Sequence, residues 1–357
     1  MRDTRRVSGG WRLRWSPALD GVRGVAILLV LVGHAHVPRT VGAGQVGVRL
    51  FFCLSGFLIT ALLLQELRAS GRIDFRAFYV RRALRLLPAL VASTVLVAVV
   101  GLILGPWFYQ WRDGLAVLLY VGNWELVRDG LGGLTGTWSL SVEEQFYFVW
   151  PVLFFVLRKW SPVVLLSVTV AGIAGSLLVR YQLWEDGGVS PRLSYGTEVH
   201  IDALLGGALL AMWLVGRRVR TWSGWWAVLP AGVLVWGVMA DGARFFMVTG
   251  VASLVGGVAL VAVAAMSRDA WLSWGWLGWL GRRSYGIYLY HCPVSVYLDV
   301  KYPELGWEWR LPILWGIGIG LAVLSWRWIE TPFLRRKPRP AGESPQHHRQ
   351  EAPPVSG

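Results

Sequence analysis

The stretch LDGVRGVAILLVLVGHAH, from Leu19 to His36, decides the class of this protein. Its ionisable residues are Asp20, Arg23, His34 and His36, set in or beside an otherwise apolar run. An ionisable group that enters a bilayer without partners costs several kcal/mol, so each one in such a run is a functional hypothesis by default. Arg23 and His34 are separated by ten residues. Eleven steps of about 100° make three turns and about 20°, so on a helix both side chains share a face. The rise between them, about 16 Å, is half of a ~30 Å hydrocarbon core, which sets Arg23 at the inner boundary and His34 in the outer half. The plain readings are a topology charge for Arg23 and an interhelical hydrogen bond for His34. The chemical reading is an anionic cofactor bound at Arg23 with a thin arm extended towards His34, both residues turned into one cavity. Imidazole is suited to take a proton from an alcohol near neutral pH. His36 falls at the interface.

The rest of the chain carries the same pattern. Of 357 residues, 55% are hydrophobic and only 16% charged, with a mean hydropathy of +0.48. A soluble domain averages about 25% charged residues, so this chain has too little polar surface to cover itself. A soluble enzyme, a disordered protein and a disulfide scaffold are excluded. Apolar runs recur from end to end and predict an all-α polytopic bundle of about ten transmembrane helices, over residues 22–37, 46–66, 84–104, 142–157, 162–180, 200–216, 224–240, 246–266, 284–300 and 310–329. The first and fourth are short for the core and are expected partly inside the bundle. The connection over 105–141 holds a short apolar piece, Leu115 to Val121, too short to span. The two cysteines, Cys53 and Cys292, lie in apolar segments without a CxxC, so neither a metal site nor a disulfide framework is indicated.

Charge sets the orientation. The net charge is +14, a surplus that elsewhere suggests nucleic acid, but here the basic residues form short clusters between apolar runs. With the N-terminus inside, 25 of the 35 basic residues fall on that side, nine fall outside, and Arg327 lies within a span. The inner set gathers Arg2, Arg5, Arg6, Arg12, Arg14 and Arg23, the Arg68–Arg85 cluster, Arg158 and Lys159, Arg217, Arg218 and Arg220, Arg268, Arg282 and Arg283, and the tail cations from Arg335 on. This bias predicts both termini in the cytoplasm and a multi-pass protein of the cytoplasmic membrane. Three units are expected: a basic cytoplasmic segment over 1–17, a transmembrane domain over 18–333 and a disordered cytoplasmic tail over 334–357.

Three further stretches carry chemistry. GTWSLSVEEQFYFVWP opens the fourth span; Ser141-x-x-Glu144 fits a capping box, which accounts for Glu144 and leaves Glu143 free to orient a histidine or bind an acceptor hydroxyl. FYVRRALRLLPAL carries Arg81, Arg82 and Arg85 at the inner end of the third span, with Arg81 and Arg85 one turn apart. Positive-inside topology explains most such clusters; the alternative is a phosphate site, since guanidinium forks match phosphate oxygens. RRSYGIYLYHCP contains His291, about 12 Å along the helix from Arg283. Weaker candidates are Glu330, which can pair with Arg327, and Asp202, which follows Tyr195, Thr197 and His200. Gly47, Ser55 and Gly56 read as small residues permitting close helix approach.

With these motifs in this order, the chain resembles the membrane-bound acyltransferase 3 family, which includes O-antigen and exopolysaccharide O-acetyltransferases. The resemblance runs from about Ala18 to Phe333 and rests on LDGVRGVAILLVLVGH, GVRLFFCLSGFLIT, FYVRRALRLLP, TWSLSVEEQFYFVWP, YGTEVHIDALLGG, SYGIYLYH and WIETP. It implies ten spans and transfer of an acyl group, usually acetyl, from cytoplasmic acyl-CoA to a hydroxyl of an extracytoplasmic or lipid-linked carbohydrate, glycolipid or metabolite. It also implies His34 as the catalytic residue, with Glu143 in the Trp138-Ser139-Leu140…Glu143 motif beside it. Arg23, Arg81, Arg82 and Arg85 are implied as the acyl-CoA site. Two positions depart from the pattern: Arg49 stands where relatives are often acidic, and His200 where they commonly carry Arg. No fused esterase-like domain is expected from these motifs, so a second transfer step is expected to need a partner. The alternative from another class is a transporter or flippase for a lipid-linked sugar or small anion; the lack of repeat halves and of paired broken helices counts against it.

Overall fold

The computed structural model describes residues 11–13, 16–240, 245–267 and 271–336. Residues 337–357 of the tail, Arg2, Arg5, Arg6 and Arg14 of the basic segment, and Arg244 and Arg268 lie outside the described residues. Among those described there is no β-strand; the chain forms fourteen α-helices joined by short 3₁₀ and turn segments.

Each expected apolar run lies on a helix. These are α1 (Pro17–His34), α2 (Ala43–Ser70), α3 (Phe75–Leu104), α6 (Trp138–Trp160), α7 (Pro162–Gly187), α9 (Thr197–Leu214), α10 (Val228–Val238), α11 (Phe245–Met266), α12 (Gly275–Lys301) and α13 (Trp307–Ser325). Eight helical stretches are long and apolar enough to cross a membrane. The other two expected runs differ for separate reasons. The run over 224–240 is a 3₁₀ turn, Gly224–Ala227, leading into the 11-residue α10. The run over 284–300 lies on α12, which has 27 residues but carries Arg282, Arg283, Asp299 and Lys301 among its apolar ones.

Two helices begin nine residues before their expected starts. In α3 the Asp74 side chain accepts a hydrogen bond from the Ala77 amide at 2.9 Å, fixing the helix start ahead of the apolar run. In α12 the early start adds GWLGWLGRR, whose glycines and arginines hide it from a hydropathy scan. The connection after α3 folds as α4 (Trp111–Leu118), α5 (Gly122–Arg128) and a 3₁₀ turn at Gly132–Thr137, all too short to span, as the sequence indicated. Short helices α8 (Pro191–Tyr195) and α14 (Thr331–Leu334) complete the set.

The bundle is organised around α1. This helix packs against α12 and α2, and also touches α11 and α13. Its ten buried residues run from Ala18 to Leu31. With 18 residues it reaches about 27 Å, close to the thickness of the core, and just over half of it is buried, so it sits partly inside the bundle as expected. Glycine makes this closeness possible at two crossings. A Cβ on Gly47 would stand 2.5 Å from the Ala26 carbonyl oxygen of α1, and one on Gly56 only 1.8 Å from the Leu204 carbonyl oxygen of α9. Close backbone approach through small residues is how helices associate where lipid removes the hydrophobic drive.

α13 ends in a π-helical turn, Trp326–Glu330. The wider turn rotates Glu330 into the bundle, where it is buried and accepts from Ser325 Oγ at 3.2 Å, while Arg327 stays exposed. The simple Arg327–Glu330 pairing is therefore not formed.

Candidate active site

A cavity of about 270 Å³ opens between α1, α2, α3, α6 and α12. One wall is a single face of α2: Val48, Phe51, Phe52, Ser55, Leu58, Ile59 and Leu62, spaced three and four residues apart. Along α2 this face extends about 21 Å. Opposite it stand Arg82, Arg85 and Leu86 of α3, Ser139, Leu140, Glu143 and Tyr147 of α6, and Ser284, Tyr285 and Tyr288 of α12, with Arg23 of α1.

The polar groups are graded along the cavity. At one end are three guanidinium groups. Arg23 donates to Asp20 Oδ1 at 2.8 Å, one turn back on α1. Arg82 donates from Nε to Glu144 Oε1 at 2.8 Å and lies 3.0 Å above the centre of the Tyr147 ring. Arg85 is open to the cavity and has no hydrogen-bond or ion-pair partner among the described residues. Arg81 does not line the cavity. Arg82 and Arg85, three residues apart on α3, both line it. Arg81, one turn from Arg85, does not.

In the middle, Ser55 Oγ donates to Glu143 Oε1 at 2.5 Å. Ser55 is thus more than a packing residue, and the spacing of α2's cavity face was the signal that could have found it. Glu144 also differs from its sequence reading. α6 starts at Trp138, so Ser141 lies inside the helix, where its hydroxyl accepts from the Gly122 amide at 3.1 Å, and Glu144 pairs with Arg82 instead of closing a capping box.

At the far end stands Tyr288. Its hydroxyl donates to the Gly136 carbonyl at 2.7 Å and lies 2.7 Å from Ser139 Oγ. Beyond it, one turn further along α12, His291 meets His34. Nδ1 of His34 and Nε2 of His291 are 2.8 Å apart, and His291 Nδ1 lies 2.9 Å from the Ile287 carbonyl oxygen. The sequence expected Arg23 and His34 in one cavity. Arg23 lines it and His34 does not; the Tyr288 ring, which lines it, is 5.7 Å from the His291 ring. Nor is Glu143 the hydrogen-bond partner of His34; that place belongs to His291, which is fully buried. Cys292 Sγ sits 3.4 Å from His291 Nε2. Ligand-type atoms of His34, His291 and Cys292 lie within 4.8 Å of one another, a grouping the cysteine spacing did not signal. His36, just past α1, is exposed and 3.7 Å from Asp299.

Arg49 and His200, the two positions expected to depart from the family pattern, are neighbours. Arg49 Nη1 lies 3.3 Å from His200 Nδ1, Arg49 Nη2 donates to Asp202 Oδ2 at 2.7 Å, and Arg180 Nη2 donates to the same oxygen at 2.9 Å. His200 Nε2 faces the Ser194 carbonyl at 2.9 Å, so Nε2 carries the hydrogen and Nδ1 accepts from Arg49. A cation on α2 thus faces a neutral acceptor on α9.

This is a membrane protein with polar residues lining a cavity between its helices, and the chain belongs to the acyltransferase 3 family, an acyltransferase domain matched over residues 16–329. Among its relatives is the peptidoglycan O-acetyltransferase OatA of Listeria monocytogenes, 30% identical over 90% of this chain and 56% of the relative. YrhL of Bacillus subtilis is 34% identical over 90% of this chain and 55% of its own length. The O-acetyltransferase OatA of Staphylococcus aureus is 29% identical over 94% and 60%. The chain therefore spans little more than half the length of these relatives. No solved structure matches it.

Proposed function

We propose that this chain is a membrane O-acyltransferase of the cytoplasmic membrane, with both termini in the cytoplasm, that moves an acetyl group from acetyl-CoA to a hydroxyl of an envelope glycan. The observation that carries this reading is the gradient in the cavity: three guanidiniums at one end, and an imidazole pair one helical turn past the other. Arg23, Arg82 and Arg85 hold the donor's phosphates, since guanidinium forks match phosphate oxygens. The pantetheine arm follows the apolar α2 face. Glu143, hydrogen-bonded to Ser55, lines the route to the reacting centre. For the thioester to meet His34, the Tyr288 side chain must leave its latch on Gly136 and Ser139. His34 then takes the proton of the acceptor hydroxyl, the alkoxide oxygen attacks the thioester carbon, the C–S bond breaks, and coenzyme A leaves as a thiolate that is protonated on release. The glycan acceptor is proposed from the peptidoglycan acetyltransferases among the relatives.

The test is coenzyme A release by purified protein in liposomes, with acetyl-CoA on one side and glycan acceptor on the other. General-base help is worth 10²–10⁴-fold, so His34→Ala should lose at least ~100-fold in kcat with normal expression. Wild-type turnover in that variant removes His34 from the mechanism. Acceptor translocation without coenzyme A release identifies a transporter instead.

A further inference from the structure

We propose that His291 is the positioning residue for His34: its Nε2 accepts a hydrogen bond from His34 Nδ1 and so fixes the tautomer in which His34 Nε2 carries the free lone pair.

The assignment follows from one atom that cannot donate. A backbone carbonyl only accepts, so His291 Nδ1, 2.9 Å from the Ile287 oxygen, carries the hydrogen. His291 Nε2 then holds the lone pair. The His34 nitrogen 2.8 Å from it must donate, which sets the hydrogen on His34 Nδ1 and the lone pair on Nε2. The chain of donors runs His34 to His291 to Ile287. It is rigid at its far end, because Ile287 and His291 are four residues apart on the same helix and His291 is fully buried. His34, by contrast, is only partly buried. The two rings lie 5.0 Å apart at 27°, an arrangement that holds the imidazole plane as well as its tautomer. When His34 gains a proton on Nε2, its Nδ1–H becomes a charge-assisted donor and the bond to His291 strengthens. This is the base-and-orienter logic of nucleophile activation, with a neutral imidazole as the orienter.

The same three groups resemble a metal site, and the distance separates the two readings. Nitrogens bound tetrahedrally to zinc at about 2.0–2.1 Å stand about 3.3 Å apart. The 2.8 Å between His34 and His291 is a hydrogen-bond separation. The titratable groups facing His34 are His291, Cys292 and Asp299 from α12 and His36 beyond α1.

The inference rests on the reading of His34 as base, and the experiment separates their failures. Coenzyme A release is measured against pH for the full chain in liposomes, as wild type, H34A, H291L and H291Q, with and without dipicolinate. H291L is expected to lose about 100-fold in kcat, with the KM for acetyl-CoA within about twofold. H291Q, whose amide oxygen can accept from His34 Nδ1, is expected to recover at least tenfold of that loss. The acid limb of kcat/KM should move to lower pH in H291L, because the His34 imidazolium loses its acceptor. Thermal unfolding of each variant in detergent identifies misfolding, and H291Q carries the test if H291L does not fold. Wild-type kcat in H291L, no rescue by H291Q, or an unmoved acid limb overturns the proposal. So does loss of wild-type activity in dipicolinate together with stoichiometric zinc in the purified protein. If H34A retains activity, the base reading itself fails, whatever H291L does.

Discussion

Two arginine clusters sit in the membrane part of this protein, and they are built on opposite principles. Around Asp202, Arg49 and Arg180 are almost fully buried and share one carboxylate. Arg49 is further bonded to Ser253 and to the Gly250 carbonyl, Arg180 to the Val199 carbonyl, and the void beside them is about 10 Å³, roughly one water. Around the main cavity, Arg23, Arg82 and Arg85 border about 270 Å³, and Arg85 has no partner among the described residues. Buried guanidiniums bonded to protein groups hold helices α2, α7, α9 and α11 together. A guanidinium left open beside a cavity is available to an anion that comes and goes. An intramembrane cation is thus functional or structural according to what satisfies it, not according to its position in a span.

The contrast can be broken most sharply at Asp202. Asp202→Ala leaves two buried guanidiniums on α2 and α7 without a counter-charge, and should cost about 3–5 kcal/mol, read as a large fall in thermal unfolding temperature in detergent. A variant as stable as wild type would show that the Asp202 cluster is not structural. Arg85→Ala probes the other side. Loss of one charge-assisted phosphate contact, about 1.5–3 kcal/mol, should raise the KM for acetyl-CoA at least ~10-fold while the unfolding temperature holds. An unchanged KM would return Arg85 to a topology role. The smallest effect belongs to Arg81, which lies outside the cavity: Arg81→Ala should change neither KM nor stability beyond about 0.5 kcal/mol. A KM shift as large as that of Arg85→Ala would mean that the phosphate site extends past the cavity wall.

Much of the fold was legible because its drive is one-dimensional. Runs of apolar residues gave every long helix, and the failures cluster where charge or glycine interrupts hydropathy, as in the nine extra residues at the start of α12. The site was legible only in part. Arg23, Arg82, Arg85 and Glu143 do line the cavity, and each announced itself as an ionisable residue in an apolar context. Glu144 was misread because Ser-x-x-Glu marks a capping box only if the helix begins there, and α6 begins three residues earlier. Ser55 was passed over because a serine flanked by small residues looks the same whether it packs or binds.

By itself, the sequence determined that this chain is a helical membrane protein, and that one helix carries Arg23 and His34 on a shared face, because hydropathy and helical period are properties of neighbours along the chain. The tertiary structure alone decided which residues line the cavity and which remote groups meet. Ser55 and Glu143 are 88 residues apart and His34 and His291 are 257 apart, and no local rule reaches across such distances. Those meetings depend on how the helices cross, and the crossings are set by side-chain volumes and glycine contacts that only the packed bundle brings together.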